Sequence, residues 1–297
     1  MTAGRRLSRD EFHARLTGLD RTDLVKMLWT LYWRGAAPVR ERIEDLLEPQ
    51  AKDARAQARQ QPPDDGEVLT RVTEFAALAR SGAYLAGDRR VPRQERTRWR
   101  MTFRSLAQDS IGALRGDDVD TAARAVGLLV DLACETKEYD YFRSEDPMEA
   151  TRFVASDAVA AMWSRLRDTQ GAGPMVERAV RDLVRWEQRH GWTRGGFGRV
   201  SAQEATLAST LTGFLVLPDL WSLAARQYAD AVDEALGKRA GSRRGRGATE
   251  LAQDLAEWHA LLLTHLTDPE RDALADRLSR HPTLARGLKA RSGGSTG

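Results

Sequence analysis

The chain of 297 residues sets 46 Lys and Arg against 43 Asp and Glu, with 41% hydrophobic and 30% charged residues. That balance excludes a collagen-like or wholly disordered chain, and a net charge of +3 is far from a histone-like excess. The length allows a sizeable core, in one large domain or two ordinary ones.

The N-terminus, MTAGRRLSRDEF, places charge where a secretory signal needs an apolar segment. The most apolar stretch, Leu207 to Leu217, is about half of the roughly 20 residues that a membrane span requires, so it predicts a buried helix. Cys134, the single cysteine, can form neither an internal disulfide nor a thiolate cluster, and a reducing compartment follows. These features predict a cytoplasmic protein without a membrane partner. Only five of the basic residues are lysine, so arginine richness is a property of the whole chain.

The periodicity is helical throughout. With two isoleucines, Ile43 and Ile111, and valines lying mostly in 3.6-residue patterns, the β-branched runs of strands are missing. The predicted helices are 8–17, 21–34, 38–48, 65–86, 92–115, 118–137, 147–168, 174–190, 201–216, 218–237, 249–266, 269–280 and 282–290. Capping pairs Ser8/Glu11, Asp146/Glu149 and Ser201/Glu204 mark three starts. Pro38, Pro92, Pro147, Pro174, Pro218, Pro269 and Pro282 fall at starts as well, where a fixed φ and a missing N–H cost nothing.

Near the N-terminus, Trp29 and Trp33 stand one helical turn apart, a spacing that predicts core packing ahead of a binding groove. Residues 23–47, DLVKMLWTLYWRGAAPVRERIEDLL, read as an antiparallel helix pair with Gly35 and Pro38 in its turn. The segment resembles one unit of the HEAT class of helical repeats, and the resemblance implies stacked helical hairpins. The expected fold is therefore all-α, a multi-helix array of stacked antiparallel hairpins, α-solenoid-like and without a β-sheet. Its expected divisions are N-terminal hairpins at 1–49, a main array at 65–237, a Gly/Arg linker at 238–247, a C-terminal subdomain at 248–291 and a disordered tail at 292–297.

Farther along, Arg89 to Arg104 holds seven arginines and one acid, Glu95. On a helix from Pro92, Arg93, Arg96, Arg100 and Arg104 form one stripe beside an apolar face of Trp99, Phe103 and Leu106. Such a stripe can grip the phosphates of a nucleic acid, or it can be a solvated flank paired with acids elsewhere. Residues 131–157 offer a counterpart, with eight acids against three bases.

The connection Glu138 to Asp146 alternates aromatics with acids. Asp140, Glu145 and Asp146 could hold a divalent cation or do acid–base work, whereas Asp146 with Glu149 also suffices as a helix cap. Beyond it, Gly191 to Arg199 is glycine-rich but lacks the strand and the Lys-Ser or Lys-Thr of a nucleotide fingerprint. Trp192, Arg194, Phe197 and Arg199 make it a candidate partner-binding loop. Arg243, Arg244 and Arg246 lie in a segment whose composition resembles arginine–glycine RNA-binding linkers.

The five histidines show no zinc-protease spacing; His259, beside Trp258, reads as a hydrogen-bonded core histidine. No catalytic, cofactor-binding or metal-binding motif is recognisable, and no cofactor is expected. The leading expectation is a non-enzymatic helical interaction protein that binds another protein. A nucleic-acid-binding protein using the arginine stripe is the second reading, and an enzyme or metal-binding protein centred on 138–149 the third.

Overall fold

The computed structural model describes residues 8–36, 39–40, 43, 61–83, 93–136, 146–188, 191–237 and 247–289. Among them every regular element is helical, and no strand occurs. The chain divides into two units, Met1–Gln61 and Pro62–Gly297.

The first unit contains α1 (Arg9–Thr17) and α2 (Arg21–Arg34). Ser8 and Glu11 close the predicted capping box, with each side chain bonded to the other's backbone N–H. Asp20 caps α2 by accepting the Asp23 backbone N–H on its side chain. The expectation that Trp29 and Trp33 are core residues is not met: they are 59% and 72% exposed, and α2 buries none of its side chains. The helical spacing was right, but one turn of separation sets two rings on a common face without supplying anything to cover that face.

The second unit starts with α3 (Asp65–Arg80), α4 (Arg93–Ala113) and α5 (Val119–Glu135), which pack on one another. α5 is central because Ala, Val, Leu and Gly occupy most of its circumference, so it also receives α7 (Ala155–Gln170). α7 packs on α8 (Ala172–Trp186), and α8 on α11 (Pro218–Gly237). Three short helices, α6 (Pro147–Thr151), α9 (Arg199–Gln203) and α10 (Leu207–Thr212), fill the turns between these long ones. The chain closes with α12 (Ala248–Asp254), α13 (Ala256–His265), α14 (Asp268–Arg277), a 3-10 turn (Leu278–Arg280) and α15 (Pro282–Lys289). α13 and α14 pack against α11, and α13 also meets α10.

The apolar faces read from the sequence are the buried ones. Trp99, Phe103 and Leu106 lie at the α3–α4 contact, where the Phe75, Trp99, Phe103 and Phe153 rings meet with centroids 5.2–6.2 Å apart. Among the described residues three predicted helices are divided, the one at 249–266 at Leu255. The one at 147–168 breaks after Thr151, with Arg152 left-handed at φ 57°, and the one at 201–216 breaks after Gln203. These last two breaks lie where distant carboxylates enter, and they position the site described next.

Candidate functional site at the junction of two loops

Two connections singled out in the sequence, the end of the acidic segment and the glycine-rich loop, are brought together. Asp146 Oδ1 accepts the N–H groups of Met148 and Glu149 and caps α6, while Oδ2 accepts the backbone N–H of Arg194. The Arg194 guanidinium donates from Nε and Nη2 to the Thr136 carbonyl, at 3.1 and 3.0 Å, at the end of α5. Trp192 is buried, and its indole N–H points to Cys134 Sγ at 3.3 Å. The loop therefore ties the last turn of α5 to the first turn of α6.

The loop's far end is held as firmly. Gly198 has φ 128°, a backbone region open to glycine alone, and a β-carbon there would strike the Glu149 carboxylate. That close approach lets Glu149 Oε1 accept the Ser201 N–H at 3.0 Å, in the first turn of α9. Glu149 thus caps α9 instead of closing a box with Asp146. Glu204 likewise does not pair with Ser201: its carboxylate accepts the N–H groups of Ala155 and Ser156 and the Ser156 hydroxyl, capping α7 from 48–49 residues away. Ser156 Oγ then accepts the Ala205 N–H.

Glu187, 2% exposed, completes the set by accepting the Ala208 N–H at 2.8 Å at the start of α10. Burial raises its carboxyl to about 7, against the lowering pull of the Ala208 and Gln188 backbone N–H groups. Burial also raises Glu204, although Ser156 and Ala155 oppose the shift. The complementary device recurs at C-termini. Arg104 donates to the Ala150 and Thr151 carbonyls at the end of α6, and Arg165 to the Leu114 and Gly116 carbonyls after α4. Carboxylates at N-termini and guanidiniums at C-termini both oppose the helix dipole, so part of the charge in this sequence serves long-range capping. Sequence reasoning missed these roles because residues 21 to 52 positions apart leave no local pattern.

The other sequence candidates are placed as follows. Arg96, Arg100 and Arg104 are half-buried beside the Trp99 face of α4, Arg104 being committed to α6. Arg93 begins α4, and its side chain lies outside the described residues, as do Asp140, Glu145, Arg243, Arg244 and Arg246. In the loop, Phe197 is 88% exposed and Arg199 opens α9 at the surface. Of the acids in 131–157, Asp131 pairs with Arg185 and Glu135 with Arg80.

Among the described residues no group of three or more His, Cys, Asp and Glu is arranged to hold a metal ion. No helix among them is long and apolar enough to cross a membrane. The junction's chemistry is thus that of a polar clamp with one carboxyl, Glu187, poised near neutrality. Comparison with protein-family models, curated proteins and solved structures finds no match to this chain.

Proposed function

We propose that this chain is a helical interaction protein that binds another protein, and that the contact is made by the aromatic ridge of α2. The carrying observation is the ridge itself. Val25, Leu28, Trp29 and Trp33, spaced as one face of a helix, are 46–72% exposed, and the Trp29 ring stacks at 5.8 Å on both Tyr32 and Trp33. Large rigid aromatics supply much contact area for little lost side-chain freedom, and tryptophan, tyrosine and arginine dominate protein-interface energetics. An uncovered apolar face of this size on a short helix is a liability unless something binds it.

Charge suggests the partner's chemistry. Residues 1–61 contain twelve Lys and Arg against nine Asp and Glu, which accounts for the whole net charge of +3. Lys26 borders the ridge, and Arg21 and Arg34 stand at the ends of α2. The fitting partner is a protein with an apolar groove edged by carboxylates, which would steer the encounter and fix the register. In this reading the second unit is a stacked array of antiparallel hairpins, a framework consistent with the sequential packing of α5, α7, α8 and α11.

The test is quantitative affinity capture with nuclease-treated controls, comparing the natural chain with Trp29→Ser/Trp33→Ser. The reading requires nuclease-resistant protein partners that the double variant loses while its helical circular dichroism is unchanged. Partners retained in full by the variant, or lost on nuclease treatment, would refute it.

A further inference from the structure

A second surface, on α8 of the second unit, has the chemistry of an anion site. Arg178, Arg181 and Arg185 follow an i, i+3, i+7 spacing and share one face of α8. With Asp182 and Val184 they line an open cleft of about 450 Å³ whose other wall is formed by Ala231, Glu234 and Ala235 of α11. The small Ala231 and Ala235 side chains leave the space unfilled.

Two of the three guanidiniums are held in place from behind. Arg178 Nε donates at 3.0 Å to Asp182, whose second oxygen accepts the Trp163 indole N–H at 3.1 Å. Arg185 donates at 2.6 Å to Asp131, whose second oxygen accepts the Trp186 indole N–H at 2.8 Å, and its guanidinium lies 5.9 Å from the Trp186 ring centroid. Both carboxylates are shielded, with side chains 5% and 12% exposed, while Arg185 remains 63% exposed. Asp131 is not part of the cleft lining, whereas Asp182 lines it beside Arg178, so three guanidiniums stand against two carboxylates, Asp182 and Glu234, around the space. Arg181, between them, is exposed and forms no ion pair among the described residues. A guanidinium fork matches two oxygens of a phosphate, and forks already ordered lose little freedom on binding.

We propose that this cleft binds the phosphate group of a small phosphorylated ligand, with Arg181 making the principal contact and Arg178 and Arg185 flanking it. Glu234 lines the opposite wall and sets the limit on charge: it repels an anion that approaches α11, so the phosphate seats against α8. The site is independent of the α2 ridge and survives the failure of that reading.

Isothermal titration of the full chain with pyrophosphate and orthophosphate, against chloride at equal ionic strength, tests it. Saturable one-site binding is expected, weakened at least about tenfold in Arg181→Ala and tightened in Glu234→Gln. Arg181 is exposed and forms no ion pair among the described residues, so its removal is expected to leave the fold intact, which an unchanged melting temperature verifies. Heats indistinguishable from chloride up to about 10 mM ligand would overturn the proposal, and so would an Arg181→Ala affinity equal to that of the natural chain.

Discussion

The Asp146 carboxylate caps α6 and also accepts the Arg194 backbone N–H, while the Arg194 side chain turns back to the Thr136 carbonyl at the end of α5. One residue pair therefore links two helix ends and a glycine-rich loop. The geometry requires a fork, because Nε and Nη2 converge on a single oxygen.

Replacing Arg194 tests how much of the junction depends on it. Arg194→Ala leaves the Thr136 carbonyl without its charged donors and is expected to cost about 1–2 kcal/mol, with Arg194→Lys recovering only part. Urea denaturation should register this as a lower midpoint at constant slope. An unchanged midpoint would show that water replaces the guanidinium at no cost.

Glu187 gives the fold a pH dependence of definite sign. Its folded pKa of about 7 lies above the ordinary 4.5, so its contribution is fully present below pH 4.5 and lost as pH rises through about 7. The loss amounts to roughly 2–3 kcal/mol. Glu187→Gln removes the titration, so the stability advantage of the natural chain over the variant should shrink between pH 5 and pH 8. Thermal melts across that window measure it, and parallel curves would remove Glu187 as the responsible group.

The helical periodicity was legible because burial imposes it: Trp99, Phe103 and Leu106, or Val176, Ala179, Val180 and Leu183, lie inward as their spacing requires. The breaks after Thr151 and Gln203 were not legible, since the residues on either side continue a helical pattern. What ends those helices is tertiary. Ala155 and Ser156 receive their cap from Glu204, and Ser201 from Glu149, so the local pairing of Ser201 with Glu204 names the right residue types and the wrong partners. The proximity of Asp146 to Arg194, 48 residues apart, likewise leaves no local pattern. Trp29 and Trp33 show the converse limit, for periodicity reports which residues share a face but not whether that face is covered.

Arg104 separates a structural role from a nucleic-acid role within the arginine stripe. Its two bonds, both 3.0 Å, satisfy carbonyls at the end of α6, and Arg104→Ala should lower stability by about 1–2 kcal/mol at any ionic strength. A phosphate contact would leave stability alone and flatten the salt dependence of nucleic-acid binding. Chemical denaturation combined with binding titrations at two salt concentrations distinguishes the two outcomes.

His259 and Tyr228 form a buried pair whose prediction runs opposite to that of Glu187. Tyr228 Oη lies 2.6 Å from His259 Nε2, with the two residues 0% and 3% exposed, and burial lowers the imidazole to about 4 from 6.5. A neutral imidazole accepts a hydrogen bond from the phenol hydroxyl, whereas in the charged ring both nitrogens are donors. The depressed pKa means that stability is fully present above pH 6.5 and lost as pH falls through about 4, by up to roughly 3 kcal/mol. His259→Gln should therefore lose less stability than the natural chain between pH 6.5 and pH 4, a difference in which the shared Glu187 contribution cancels. Tyr228→Phe strips the buried Nε2 of its donor and should cost about 1–3 kcal/mol at neutral pH. If the natural chain and His259→Gln lose stability in parallel on acidification, His259 is not the group that sets the acid limb.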